Sequence, residues 1–519
     1  MPRSTPIATA CLISALVLSP EARADPPEQP NILLIVADDL GIDYVEEYNF
    51  PGEEGAPAFT PFLSEMIADG VRFNNAWSNT ICSPTRATLQ TGRYSFRTGI
   101  GTVINPYKNP LPALDLDETT IAEGLPAEYV SGAFGKWHLG FDPLTGGGPS
   151  TPVDHGYDVF IGMQGNLGRN DGTGDYTDYD WFGAVAGGPV IGPNQGTVYA
   201  TTQTTDWAKG FLSTAEPPWF AYVAYHAPHR PLDYPTGGFD LSIPLCDGQV
   251  TGDCCEPGVE AKEDLCFRAV IEAMDVEIEE LVTNGIPEDQ RDDTIVIFVS
   301  DNGTAKQTVR LPWTSSIDDA PARDMGKETV YNGGILVPLV FYKFDANLPP
   351  ETQIVEDLVN TTDLYATVLD FAGVDAGQFP SDSLSLAPYL GGGAPAVPRE
   401  YAYAEAFLPN EDPDRPVSDF CSVRRTLRNT RFKLIQRRAR NDPSAMEELY
   451  ELLDENGLGV DLFEQNDLLL SPLSSTAAAA YAELRAELAN LTGSEEPITN
   501  TDLCEDPPAV VPVSEGASK

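Results

Sequence analysis

Positive charge is what this 519-residue chain has least of: 31 lysines and arginines stand against 79 aspartates and glutamates, for a formal net charge of -48. A surface so acidic repels nucleic acid and anionic membranes, which removes both from the candidate partners. It also repels a polyanion at low ionic strength. That repulsion becomes short-ranged at about 1 M salt, where the Debye length is about 3 Å, so a saline habitat is expected. Long apolar runs are missing as well. The stretch from Ile7 to Leu18 falls short of the roughly 20 residues that cross a bilayer, and no later run qualifies, so no membrane span is expected. Histidine is scarce, with 4 in the chain, and each has to be accounted for.

The same short apolar stretch is preceded by Arg3 and followed by Ala22-Arg23-Ala24, a small-x-small cleavage site. This is the layout of an export signal over residues 1–24, with the mature chain starting near Asp25 in the periplasm or outside the cell. A lipid anchor on Cys11 is the weaker reading, because Ala8 stands where such a motif prefers leucine. The remaining chain, 42% hydrophobic overall, can bury a large core. Of 8 cysteines, Cys11 lies in the signal and Cys82 stands apart. Cys246, Cys254, Cys255, Cys266, Cys421 and Cys504 form an even set, which in an exported chain points to disulfides. A structural zinc site between Cys246 and Cys266 would need CxxC pairs or a nearby histidine, and neither is present.

Apolar, β-branched runs at 32–37, 219–225, 294–300 and 335–342 read as strands, and 62–69 and 265–282 as helices. Strands alternating with helices predict an α/β unit around a mainly parallel sheet, and unbroken apolarity predicts strands buried on both faces. Composition turns to glycine, serine and proline around 375–400, which marks a boundary. The expected division is a catalytic domain over 25–385 and a smaller α+β domain with an antiparallel sheet over 386–519. In the latter, 430–436 and 448–453 read as strands and 476–491 as a closing helix. Residues 165–196 are glycine-rich yet carry Tyr176, Tyr179, Trp181 and Phe182, and read as a long loop whose rings could stack on a sugar.

Asp38 and Asp39 follow directly on NILLIVA, and Asp301 and Asn302 directly on TIVIFVS. Both pairs therefore fall at carboxyl ends of buried strands, the edge at which open α/β sheets place ligands. Taken singly, such residues are ordinary turn or cap formers. Two pairs in one context are a different matter. Three carboxylates and an amide oxygen repel one another unless a cation sits among them, and an all-oxygen shell suits Ca2+, or Mg2+, better than zinc.

The segment ICSPTRATLQTGRY, residues 81–94, places Cys82, Pro84 and Arg86 before a helix expected from Thr85, where free backbone N–H groups favour anions. Here the chain resembles the sulfatase family of the alkaline phosphatase superfamily, whose hallmark is CxPxR followed by LxTGR, present as Cys82, Pro84, Arg86, Leu89, Thr91, Gly92 and Arg93. GKWHLG at 135–140 is similar to the second sulfatase signature and supplies Lys136 and His138. HAPHRP at 226–231 supplies His229, SDNG at 300–303 resembles the family's metal-binding turn, and KETVYNGG supplies Lys327. RNTRFKLI, EELYELLDE and DLFEQNDL resemble the family's C-terminal module.

The resemblance implies an alkaline-phosphatase-like fold and a sulfuric ester hydrolase, with Asp38, Asp39, Cys82, Asp301 and Asn302 around Ca2+. It implies that a formylglycine-generating or anaerobic sulfatase-maturating enzyme converts Cys82 to formylglycine. One hydroxyl of the hydrated aldehyde would attack sulfur, with Arg86 favouring its ionised form; His138 would deprotonate the other to expel sulfate. His229 and Lys327 would protonate and stabilise the departing alcohol oxygen, and Lys136, Lys327 and His229 would contact the sulfate. The serine that some sulfatases place after the FxG segment is missing, and Asn166 is the nearest substitute. His155 reads as structural and His226 as adjacent to the site. The expected substrate is an aryl sulfate or a sulfated carbohydrate, chosen by loops at 165–196, 233–260 and 304–324. A phosphonate monoester hydrolase or phosphodiesterase on the same scaffold is the alternative, and a non-catalytic binder of sulfated glycans the remote one.

Overall fold

The computed structural model describes residues 29–49, 57–104, 113–140, 151–169, 173–242, 260–310, 325–344, 353–408, 422–439 and 442–493. The expected export signal, the lipid anchor on Cys11 and Cys246, Cys254, Cys255, Cys421 and Cys504 lie outside them. Cys266 is disulfide-bonded and Cys82 is a free, buried thiol. Among the described residues no helix is long and apolar enough to cross a membrane.

Ten strands form one sheet: β1 (Asn31–Ala37), β2 (Val71–Trp77), β3 (Val130–Lys136), β4 (Val159–Met163), β5 (Tyr179–Val185), β6 (Ile191–Gly196), β7 (Trp219–Ala224), β8 (Thr294–Ser300), β9 (Leu339–Lys343) and β10 (Ile354–Asn360). Their order is β10-β2-β9-β8-β1-β7-β3-β4-β5-β6. The sheet is mostly parallel, and its centre, β8-β1-β7-β3, is wholly so. β1 shows why these residues form a central strand. Leu33 and Ile35 enter the core on one face, and Ile32, Leu34 and Val36 enter the core on the other, all completely buried. Two covered faces require the unbroken apolar run that the sequence has.

Two expectations need correction. The strand read at 335–342 begins at Leu339, because Asn332–Ile335 turns as a short helix and Pro338, lacking an N–H, cannot donate to a ladder. The long loop at 165–196 contains β5 and β6, an antiparallel hairpin that closes the sheet edge. Tyr176 and Tyr179 are wholly buried in it, with their hydroxyls donating to backbone carbonyls, and Trp181 packs on Trp207 at 5.3 Å. These rings belong to the core and are not a sugar platform.

A second sheet is an antiparallel meander of β11 (Ala402–Leu408), β12 (Ser422–Arg428), β13 (Phe432–Ala439) and β14 (Asp442–Glu451). Helix Ser475–Thr492, capped where the Ser474 hydroxyl accepts from Ala477 N at 3.1 Å, lays Leu484 and Leu488 on Leu427, Phe432 and Leu434. The intervening glycine- and serine-rich segment is pinned to the first unit: Asp382 accepts from Tyr94 N at 3.0 Å and Arg97 Nε at 2.7 Å, and Arg399 pairs with Asp363.

Where the second sheet meets the first, Lys433 and Glu464 form a fully buried ion pair at 2.5 Å. The Lys433 ammonium also lies 4.6 Å from the Trp77 ring centre and donates to Asn332 Oδ1 at 3.0 Å. Removing one partner of such a pair strands a buried charge. Glu464→Ala is therefore expected to cost about 3 to 5 kcal/mol in urea unfolding; a loss below about 1 kcal/mol would show that the pair is not holding the units together.

Candidate active site

Strand register assembles the site. Ala37 lies level with Ser300 on β8, Val36 with Ala224 on β7, and Ala224 with Gly135 on β3. Four neighbouring strands thus end at one height, and the residues that follow them meet: Asp38 and Asp39 after β1, Asp301 and Asn302 after β8, Lys136 at the end of β3, and the turn from His226 to His229 after β7. Separations of about 100 to 260 positions along the chain collapse to hydrogen-bond distance.

The chain must turn sharply where the strands stop. Asp39 has φ 76° and His138 has φ 59°, and Glu328, next to Lys327, has φ 68°. Left-handed backbone is uncommon for residues with a Cβ, and it concentrates where geometry serves chemistry. Surrounding bonds hold it: Asp39 N donates to Asp301 Oδ1 at 3.3 Å, His138 N to Gln164 O at 3.0 Å and Glu328 N to Thr80 O at 2.7 Å.

Helix Cys82–Thr91 begins at Cys82 itself, three residues earlier than expected, so the thiol sits on the first turn among backbone N–H groups that the helix leaves free. Gly92 ends it in the left-handed conformation, its N–H bonded to Thr88 O at 2.9 Å, and a Cβ there would meet the Tyr365 ring at 2.9 Å. This accounts for the glycine of the TGR triplet. Arg93 is drawn off to Glu118, away from the cluster.

Arg86, wholly buried on the same helix, donates to Asp301 Oδ2 from Nε at 2.9 Å and Nη2 at 2.7 Å, and to Lys136 O at 2.7 Å. Lys136 pairs with Asp38 and Lys327 with Asp39. Asn302 Nδ2 donates to Asp39 Oδ1 at 2.7 Å, and His229 Nε2 lies 4.0 Å from Asp39 Oδ2. Ligand atoms of Asp38, Cys82 and Asp301, and likewise of Asp38, Asp39 and His229, lie within 4.8 Å of one another.

This cluster fits a cation. Among the described residues Asp38 Oδ1 and Asn302 Oδ1 are buried oxygens with no hydrogen-bond partner, a costly state for either. Burial and then the neighbouring Asp38 push Asp301 up to about 7 despite Arg86, whereas Asp38, although burial opposes its charge, is held well below the carboxylate range by Lys136 and the other cations around it. A divalent ion among these oxygens would satisfy both orphans and relieve the repulsion that lifts Asp301. Burial works against the charges of Arg86 and Lys327, and Asp301 and Asp39 respectively outweigh it.

The histidines divide by their ring bonds. His138 Nε2 lies 3.0 Å from Ile104 O, and a carbonyl can only accept, so Nδ1 is left as a bare, buried acceptor. Burial, with Lys136 and Arg86, holds this ring neutral. His229 Nδ1 donates to Arg230 O at 2.5 Å, which turns Nε2 toward the cluster, and burial and then Lys327 lower it to about 4. A bound anion would act in the opposite direction. His226 Nε2 bonds Gly165 O at 2.9 Å. His155 is buried beside Trp137, 6.1 Å between ring centres, away from these bonds.

Every residue expected at the metal and in catalysis is therefore in or against one cluster. Asn166 is not: it is exposed, and among the described residues no hydrogen bond ties it there. Tyr176 has a part that sequence reading missed. Its hydroxyl donates to His229 O at 2.8 Å and approaches His226 O at 3.2 Å, steadying the turn that carries His229.

The model of the protein family described as Sulfatase matches residues 30–374. Among curated proteins, an arylsulfatase of Hemicentrotus pulcherrimus is 29% identical over 387 residues, covering 72% of this chain and 63% of the relative, so the chain spans less than two thirds of that relative's length. Arylsulfatase A of Bos taurus is 28% identical over 399 residues, 74% and 71% of the two chains. Among solved structures, one described as a complex with its substrate D-glucosamine-2-N,6-O-disulfate superposes with a TM-score of 0.63 at 20% identity, covering 91% of this chain and all of that one (100%). Another, from work on glycosaminoglycan metabolism by Bacteroides thetaiotaomicron, gives 0.66 at 19% identity, with 90% and 97% covered. At these identities the structural likeness speaks for the fold.

Proposed function

Because the chain belongs to the sulfatase family, we propose that it hydrolyses a sulfate ester to an alcohol and inorganic sulfate, with an aryl sulfate or a sulfated carbohydrate as substrate. The observation that carries this reading is the pair of orphaned oxygens, Asp38 Oδ1 and Asn302 Oδ1, beside a free thiol and ringed by Arg86, Lys136 and Lys327. Asp38, Asp39, Asp301 and Asn302 would hold a Ca2+ ion, and Cys82 is the residue that a maturating enzyme would oxidise to formylglycine. When bound, these groups supply a hydroxyl nucleophile at neutral pH and offset the charge of the sulfate.

The remaining work falls to the chain's own side chains. Lys136 and Lys327 draw the sulfate oxygens in and stabilise charge that develops on them. His138 Nδ1, neutral and unpaired, takes a proton at residue 82. His229 Nε2, protonated once the negative charge of a bound sulfate offsets Lys327, delivers that proton to the departing alcohol oxygen, with Lys327 beside it. Arg86 is engaged by Asp301 and by Lys136 O, so it orients the carboxylate and the end of β3. The export signal over 1–24, which would send the enzyme to the periplasm or outside the cell, and the domain division at 385/386 complete the proposal.

The test is release of inorganic sulfate from p-nitrophenyl sulfate, set against release of p-nitrophenol from bis(p-nitrophenyl) phosphate and p-nitrophenyl phenylphosphonate. Faster hydrolysis of either phosphorus ester would put the phosphonate monoester hydrolase or phosphodiesterase alternative first, and hydrolysis of none of the three, in protein whose residue 82 is oxidised, would leave a binder. Stripping divalent cations with EDTA is expected to abolish sulfate release and to lower the thermal midpoint by about 5 °C or more, with Ca2+ restoring both. An unchanged midpoint would take the cation out of the cluster.

A further inference from the structure

Arg424 is an exposed cation in a chain that has few. It stands on β12 of the second sheet, and among the described residues its only hydrogen bond runs from Nη1 to the backbone carbonyl of Glu328, 3.2 Å away, the residue after Lys327. Directly opposite on β13 stands Arg437, so two guanidinium groups rise from the same face of one strand pair. Like charges in that position repel, and burial and then Arg437 bring Arg424 below its ordinary value. The carboxylates at hand are already engaged. Glu328 is taken by Lys306 at 3.0 Å, and Glu448 by Arg437 at 2.8 Å and by the Tyr331 and Tyr450 hydroxyls at 2.8 and 2.6 Å. Among the described residues Arg437 also keeps a buried Nε with no partner.

We propose that Arg424, backed by Arg437, forms a second anion site on the rim of the active site, where it takes a sulfate group of a polysulfated glycan other than the one being hydrolysed. This rests on the sulfatase reading and narrows its substrate. The first sheet supplies the groups that cleave, and the second sheet supplies a cation that a monosulfated molecule never reaches. In a chain of net charge -48 a polyanion has few other places to bind.

Two measurements on the full, matured enzyme test it, with dextran sulfate oligosaccharide as the probe. Its binding is followed directly by fluorescence anisotropy of a labelled oligosaccharide, and its inhibition of p-nitrophenyl sulfate hydrolysis by initial rates. Arg424→Gln is expected to weaken both about tenfold at low salt, Arg424→Lys less, and Lys209→Gln not at all. The KM for p-nitrophenyl sulfate stays within about twofold, because a monosulfate does not extend to the rim. The difference should shrink at about 1 M salt. Equal binding by wild type and Arg424→Gln, or no binding by wild type, overturns the proposal. If p-nitrophenyl sulfate is not hydrolysed at all, the sulfatase reading fails, and the anisotropy arm still decides whether Arg424 holds the polyanion.

Discussion

Substitution of Cys82 by alanine is expected to reduce sulfate release by more than about four orders of magnitude, the scale on which enzymes lose rate when their nucleophile is removed. Burial raises the Cys82 thiol above its ordinary value, with Asp38 and Asp301 adding to the shift against the pull of Lys136 and Lys327. An unmodified thiol so placed is a poor nucleophile near neutral pH. It is also a poor partner for a hard cation, which prefers oxygen. The proposed oxidation of this residue would answer both objections. Little of the fold depends on this side chain, since the helix that starts there is anchored by Thr85 N to Ile81 O and by Ser83, whose hydroxyl accepts from Ile104 N at 3.1 Å. Circular dichroism and the thermal midpoint of Cys82→Ala should therefore match the parent. Turnover within about a hundredfold of wild type would remove residue 82 from the chemistry.

Lys136→Ala is expected to lower kcat by about 10^2- to 10^3-fold, equivalent to about 2.7 to 4 kcal/mol of transition-state stabilisation from one well-placed donor. Its effect on stability should depend on the cation. Lys136 is the direct ion-pair partner of Asp38, and Arg86 is the next cation at 4.0 Å. Without Lys136 and without Ca2+, Asp38 is a buried carboxylate with poor compensation, which costs several kcal/mol. With Ca2+ the charge is offset and the fold should barely notice. The midpoint of the variant, measured in Ca2+ and again in EDTA, separates a lysine that works on the sulfate from one that only neutralises Asp38. If kcat stays near normal in Ca2+, Lys136 has only the second role.

How much of this was legible beforehand follows from where the information sits. Asp38, Asp39, Asp301 and Asn302 could be placed because they end runs that only a doubly covered strand would contain, and two such runs imply one sheet edge. β2 and β3 carry VRFNNAW and VSGAFGK, whose arginine, asparagines and glycines break the apolar pattern, so neither announces itself. Lys136 was found through the motif around it, and its place at the end of β3 emerged only with the register. Tyr176 looked like a ring offered to a sugar because a sequence does not reveal whether a hydroxyl meets a carbonyl. Arg424 carried no local signal at all. Its meaning comes from Glu328, nearly a hundred positions away, and from Arg437 across a strand pair.

The loop that delivers Lys327 does not belong to one half of the molecule. Five residues beyond it, Asn332 spends its backbone N–H on Glu464 Oε2 at 2.6 Å, its Nδ2 on Leu462 O at 3.0 Å and its Oδ1 on Lys433. A chain ending before the second sheet would keep every metal-facing residue and still lose the acceptors that set the course of that loop. The clustered groups are thus not a detachable cassette. Shuffling the second sheet between relatives would be felt first as a misplaced ammonium at Lys327, well before the first sheet came apart.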